Sequence, residues 1–247
     1  MLFRLYGAMA SWGDIAVGEY RPSFAHPSKS AVLGLLAAAK GVRREDEAVQ
    51  REMAQCYGFA VRIDAAGNLM RDYHTIQVPP EAALKNHPGA TRRDELNALK
   101  RYQLDYPKVS GTILSSRDYY CDALYTVCLW VRDKTARPFS LGDFEQALKT
   151  PGFVLYLGRK ACPPSLQLEP QIKPAQNIKA AFDAAEFHDE FLNGLKMLKT
   201  KRYYWDSHPD AGLEPMQTFT RRDLPTSRRR WQFADRHEHY SGGDEGG

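Results

Sequence analysis

Arg71-Asp72-Tyr73-His74-Thr75 and Ser115-Ser116-Arg117-Asp118-Tyr119-Tyr120 are the two runs on which the reading of this chain turns. Both read as strands. Between them lie Pro79-Pro80, His87-Pro88-Gly89 and Tyr106-Pro107, in a span too polar to form a core. Two strands joined by such a span predict an arm projecting from a compact body. From Lys85 to Asp118, seven cations (Lys85, Arg92, Arg93, Lys100, Arg101, Lys108, Arg117) face four acids (Asp94, Glu95, Asp105, Asp118). Tyr73, Tyr102, Tyr106, Tyr119 and Tyr120 are interleaved with this span or flank it. Cations suit phosphates and flat rings suit bases, so this composition fits single-stranded nucleic acid. A solvated surface hairpin has the same charge pattern. Inside the arm, Thr91 and Asp94 form a capping-box pattern that starts a short helix over residues 92–103.

Moving outward, the body falls into alternating elements. Leu2-Phe3-Arg4-Leu5-Tyr6 is a strand ended by Gly7, followed by a loop to Gly13. Ser28 caps a helix to about Lys40, with Gly41 as its stop. Lys29 and Ser30 occupy its first turn, where free amides and the helix dipole favour an anion. A Lys there opposes the dipole, which a bound phosphate would resolve. A solvent-facing Lys, costing a few tenths of a kcal/mol, explains it as well. A second helix over 44–57 and a strand over 59–63 lead into the arm. Beyond it, 124–131 is a nearly continuous apolar core strand. Ser140 caps a helix to Lys149, and 153–157 reads as a strand. Gly158-Arg159-Lys160 is then a turn whose two cations can clamp phosphate, or a basic surface turn.

The C-terminal third is less patterned. Residues 177–200 read as a helix with Phe182, Phe187, Phe191, Leu195 and Leu198 on one side. Tyr203-Tyr204-Trp205 reads as a strand. Arg221-Arg222 and Arg228-Arg229-Arg230 are basic runs. His237-Glu238-His239, lacking a third spaced ligand site, reads as solvated tail rather than metal site. The expected fold class is α+β: a ferredoxin-like, RNA-recognition-type sheet with helices on one face. The expected organisation is a body over 1–165 with an arm at about 70–119, a C-terminal subdomain over 166–240 completing it, and a mobile tail over 241–247.

Composition narrows the class. The chain has 247 residues, 43% hydrophobic and 26% charged, as a globular protein requires. No apolar run approaches membrane-spanning length, and Leu2 to Leu5 read as a strand rather than a secretion signal. Cys56, Cys121, Cys128 and Cys162 lie far apart without metal-ligand spacing and read as reduced cytoplasmic thiols. The net charge of +4 is mild. It favours an anionic partner only because the cations cluster.

Five segments, in order, resemble one family. They are Leu5-Tyr6-Gly7-Ala8-Met9-Ala10-Ser11-Trp12-Gly13; Arg21-Pro22 with Pro27-Ser28-Lys29-Ser30 and Leu33-Gly34-Leu35-Leu36; Arg71-Asp72-Tyr73-His74-Thr75; Arg117-Asp118-Tyr119-Tyr120-Cys121-Asp122-Ala123; and Leu155-Tyr156-Leu157-Gly158-Arg159-Lys160-Ala161-Cys162-Pro163. Each match is weak alone; their joint order is specific. Together they resemble the CasD family, RAMP-type subunits of the type I-E CRISPR Cascade complex.

The resemblance implies a ferredoxin-like body with a β-hairpin thumb and a variable C-terminal part. It implies a non-catalytic, cytoplasmic prokaryotic subunit that caps the 5′ handle of the crRNA. The implied partners are the crRNA, the large subunit, the backbone subunits, and target DNA near the thumb. Neither membrane nor cofactor is implied. Carried over by position, the RNA-contact candidates are Arg21, Ser28, Lys29, Ser30, Arg71, Tyr73, His74, Lys108, Arg117, Tyr119, Arg159 and Lys160. Lys29 stands where the family pattern has an Arg; it offers a point charge in place of a bidentate fork.

The alternative is a metal-independent endoribonuclease that processes precursor crRNA. It would need a base for the 2′-hydroxyl proton and a cation for the phosphorane, roles open to Tyr73, His74 and Lys108. A small-molecule enzyme has no motif behind it: there is no phosphate loop and no nucleophile elbow.

Overall fold

The computed structural model describes residues 1–85, 91–109, 111–133, 137–188, 190–208 and 210–242. The His87-Pro88-Gly89 stretch of the expected arm and the tail beyond residue 242 lie outside the described residues. The chain opens with β1 (Leu2–Tyr6), β2 (Met9–Ala10), β3 (Trp12–Gly13), β4 (Tyr20–Arg21) and β5 (Ser23–Phe24). Then come α1 (Lys29–Ala39), α2 (Glu47–Cys56), β6 (Tyr57–Ala65) and β7 (Asn68–Gln77). Next are α3 (Glu81–Leu84), α4 (Arg92–Asp105), β8 (Thr112–Cys121), β9 (Leu124–Val131) and α5 (Leu141–Lys149). The last part holds α6 (Ile178–Asp183), β10 (Arg202–Trp205), β11 (Gln217–Ser227) and β12 (Gln232–Ser241).

The chain forms two compact units. The larger holds Met1–Trp12, Phe24–Leu69 and Tyr119–Gly247. Its main sheet runs β1-β9-β6-β10-β12-β11. β9 lies antiparallel between β1 and β6, with Leu5 opposite Tyr125 and Val61 opposite Val127. β1–α1–β6 and β9–α5 are thus the crossovers of a ferredoxin-like, α+β body. The far edge of β1 is closed by chain that is not an assigned strand: Leu2 and Gln171 exchange backbone hydrogen bonds of 2.8 and 2.7 Å, and Arg4 N donates to Leu168 O at 2.8 Å. That corrects the expected strand over 153–157, which is irregular here.

Alternation along the strands decides the core. Phe3, Leu5, Phe59, Val61, Ile63, Tyr125, Val127 and Leu129 point to one face, where α1, α2 and α5 supply Val32, Leu36, Met53, Phe144 and Leu148. Leu2, Ala60 and Cys128 point to the other, where α6 adds Ile178, Ala181 and Phe182 beside Trp205. Helices therefore cover both faces, not one as expected. Local chemistry fixes the helix starts. Ser28 Oγ accepts from Ala31 N at 3.2 Å, and Ser140 and Asp143 form a capping box.

The smaller unit holds Gly13–Ser23 and Met70–Asp118. β4 runs parallel to β8, with Tyr20 opposite Ser116 and Arg21 opposite Arg117, and β7 also pairs with β8. α4 begins at the expected Thr91–Asp94 capping box. It buries only Ala98 and Leu99. Gly111 needs its φ of +60° and its lack of a side chain: a Cβ there would lie 2.6 Å from Leu99 Cδ1.

The C-terminal expectations need correction. Only 178–183 of the expected 177–200 helix is α-helical, followed by a 3₁₀ turn at Glu190–Gly194. The basic runs and the expected solvated tail form the long β11–β12 hairpin. Among the described residues, no helix is long and apolar enough to cross a membrane.

Candidate nucleic-acid interface

The twelve sequence candidates divide between the two units. In the smaller unit, β7 alternates: Arg71, Tyr73 and Thr75 are exposed while Asp72, His74 and Ile76 are half-buried. Arg71 is held in place. Its Nε lies 2.8 Å from Asp118 Oδ1, and its Nη2 lies 3.3 Å from Asp118 Oδ2 and 2.8 Å from the Tyr20 hydroxyl. The Tyr20 hydroxyl donates to Asp118 Oδ2 at 2.5 Å. That bond, then burial and the charge of Asp118, push the Tyr20 hydroxyl above its ordinary value. The Asp118 hydrogen bond likewise raises Arg71. Arg71 therefore presents a fixed, permanently charged guanidinium.

Tyr73 is 62% exposed, and Lys108 is exposed. Arg21 is exposed and donates to Tyr20 O at 3.2 Å. Arg117 is half-buried on β8. His74 pairs with the Asp72 carboxylate. Tyr73 and His74 are consecutive residues of one strand, so their side chains leave opposite faces. They do not converge on a single phosphate, as a shared cleavage step would require.

In the larger unit, Gly158, Arg159 and Lys160 form a closed turn. Leu157 N donates to Cys162 O at 2.7 Å, Cys162 N to Arg159 O at 2.9 Å, and Ser11 N to Leu157 O at 3.0 Å. Gly158 has φ +86°, and a Cβ there would lie 1.8 Å from Ser11 O. The turn thus depends on glycine. It sets the Arg159 guanidinium 4.8 Å above the buried Tyr119 ring. Lys160 beside it is exposed. Two adjacent cations on a rigid turn suit a phosphate or sugar edge.

The start of α1 is different, and here the expectation is corrected. Lys29 is 1% exposed, and its Nζ lies 2.7 Å from Asp206 Oδ2. Burial holds its amine below the ordinary lysine value, with Asp206 opposing. The backbone N–H of Lys29 donates to Asp223 Oδ2 at 2.8 Å. The anion at this helix start is therefore a carboxylate of the chain itself. Ser28 is buried as the cap, its Oγ 3.0 Å from Ser30 Oγ, and Ser30 O accepts from Arg228. Ser28, Lys29 and Ser30 have their polar groups engaged internally.

The surrounding network is what sequence reading missed. Arg236 binds Asp223 at 2.6 and 2.9 Å, Asp206 at 2.8 Å and Glu238 at 2.8 Å. Glu238, at 0% exposure, also accepts from Arg221 at 2.7 Å and lies 3.4 Å from His26 Nε2. Burial alone would raise the Glu238 carboxyl, but His26, Arg236 and Arg221 together hold it well below the carboxylate range. Burial alone would lower Arg236, but its carboxylate partners raise it. The signal was period two: Arg236 and Glu238 stand two apart on one face of β12, with His237 and His239 on the other. That alternation also keeps His237, Glu238 and His239 from converging on one ion. Among the described residues, no group of three or more His, Cys, Asp or Glu is placed to hold a metal.

Sheet, helix crossovers and basic turn together define a class, and the comparisons agree. The family model "CRISPR-associated protein (Cas_Cas5)" matches residues 1–238, and the chain belongs to that family. The chain is 32% identical over 171 residues to the CRISPR system Cascade subunit CasD of Escherichia coli (strain K12). The match spans 66% of each chain. A chain of a solved CRISPR RNA-guided surveillance complex superposes with TM-score 0.65 at 24% identity, covering 98% of this chain and 88% of that one. A solved Cas protein gives 0.60 at 22%, covering 98% and 93%. These two likenesses speak for the fold.

Proposed function

We propose that this chain is a non-catalytic, type I-E Cascade subunit that binds the 5′ handle of the crRNA. In this reading it links the large subunit to the backbone subunits for guided DNA targeting. The observation that carries the proposal is the 32% identity to CasD. Physical support comes from the rigid Gly158–Cys162 turn, where Arg159 and Lys160 present adjacent cations, and from the fixed Arg71 beside exposed Tyr73. Binding an RNA end needs charge and stacking, not a general base. Exposed Val17 and Leu104, at 77% and 82%, suit cover by neighbouring subunits. The contacts assigned to RNA are Arg21, Arg71, Tyr73, His74, Lys108, Arg117, Arg159 and Lys160, with Tyr119 supporting Arg159.

The test is the double variant Arg159→Glu, Lys160→Glu, assembled with its partners. The expected result is an intact fold and a complex that loses its guide on purification. Full guide retention would reject the site. Incubation of the chain with repeat RNA in EDTA separately tests the non-catalytic reading: the RNA is expected to stay whole.

A further inference from the structure

The tip of the β11–β12 hairpin has no part in the function proposed above. Ser227 lies opposite Gln232, so the connection is Arg228-Arg229-Arg230-Trp231. Trp231 has φ +58°, a left-handed backbone that bulky residues rarely adopt and that hairpins normally give to Gly or Asn. Its side chain is nonetheless 58% exposed. The Arg44 guanidinium lies 4.9 Å from the ring centre and that of Arg228 lies 5.7 Å away. Phe233 meets Trp231 edge-on at 5.7 Å. Arg229 and Arg230, which precede it in the turn, are exposed, as is Arg43 next to Arg44. Glu47 accepts from Ser227 and from the Arg229 backbone and feels the charges of Arg229 and Arg230, which a polyanion would have to outcompete, and Asp46 accepts from Arg43 N at 2.8 Å.

A strained position that keeps a large, wet aromatic side chain among guanidinium groups asks for a ligand. Charge selects an anion, and the exposed ring selects one with flat faces. We infer that this tip is a docking surface for single-stranded nucleic acid, gripped by stacking on Trp231 and by phosphate contacts from Arg229 and Arg230. Stacking needs no particular base, so the surface reads no sequence. A duplex keeps its bases stacked internally and offers Trp231 no face.

The test uses the full-length chain and fluorescence anisotropy of labelled oligouridine, oligothymidine and a duplex of equal length. An acidic peptide of equal charge serves as a competitor. The background is Arg159→Glu, Lys160→Glu, so that failure of the guide site is read separately. Both single strands are expected to bind; the duplex is not. Trp231→Gly suits the left-handed backbone and should melt no lower than its parent, yet bind about tenfold more weakly, the size of one stacked base. Arg229→Glu with Arg230→Glu should lower the slope of log affinity against log salt by about 1.4, two phosphates' worth for a single strand. Unchanged binding by Trp231→Gly overturns the inference. So does an acidic peptide that competes as well as the oligonucleotide, which would make the tip a protein contact.

Discussion

Replacing Arg236 with Met removes the cation that joins three buried carboxylates. After the change, Asp206 keeps Lys29 Nζ at 2.7 Å and Arg132 at 3.1 Å. Glu238 keeps Arg221 at 2.7 Å. Asp223 keeps the bond from the Lys29 amide but loses both bonds from Arg236, and it is buried. The cost is set by stranded charge, not by lost packing, because Met has similar bulk. Removing one partner of a buried pair costs about 3–5 kcal/mol. For a chain of this size each kcal/mol moves the melting temperature by about 2–4 °C, so a fall of roughly 10 °C is expected at pH 7. Adding Asp223→Asn should recover a good part of it, since an amide needs no counter-charge. Thermal melts of parent, single and double variants measure this. An Arg236→Met protein melting within about 2 °C of the parent would refute the view that these charges are desolvated and mutually dependent.

Four further outcomes follow from the same geometry. The Glu238 carboxyl is held below its ordinary 4.5. The folded state then binds this proton less readily than the unfolded one, so its stabilisation is full above about pH 4.5 and declines as pH falls further; melts from pH 7 to 3 follow it, and Glu238→Gln should flatten the decline. Lys29→Glu sets a second acid against buried Asp206, so it should lower the melting temperature by several degrees, whereas Lys160→Glu, at an exposed side chain, should leave it within about 2 °C while weakening guide retention. Gly158→Ala places a Cβ 1.8 Å from Ser11 O; urea unfolding should show a loss of about 2 kcal/mol, combining backbone strain with that clash. Tyr73→Ala is on the surface and should change stability by no more than about 0.5 kcal/mol, while guide release from the complex should quicken.

What the sequence made legible was local. Ser28, Ser140 and the Thr91–Asp94 pair start helices through bonds to residues three positions away, and each helix begins where its cap stands. The apolar run of β9 calls for strand neighbours on both sides, and β9 lies between β1 and β6. Legibility failed where the deciding partner is distant. Phe182 and Phe191 share a helical spacing, yet Phe182 is buried under the sheet and Phe191 is exposed, edge-on to Tyr6. Arg221 read as part of a basic run because its acid, Glu238, lies across the hairpin on β12. Pro225 sits within β11, which is the sheet's edge strand, where proline is tolerated.

The start of α1 shows why position alone does not identify a ligand site. Its free amides and dipole call for an anion, and the sequence supplies no reason to prefer a phosphate over a carboxylate. Asp223 lies 194 residues beyond Lys29, so nothing local announces it. Once there, it is fixed twice over: by the Lys29 amide and by two bonds from Arg236, while the Lys29 amine is fixed by Asp206. An RNA phosphate arriving at this helix would have to displace a carboxylate and leave it buried beside Glu238 with fewer partners. The same penalty that makes Arg236→Met costly therefore opposes RNA binding at this end of the helix. In the larger unit it leaves the Gly158 turn, where Lys160 is exposed beside a half-buried Arg159 set over Tyr119.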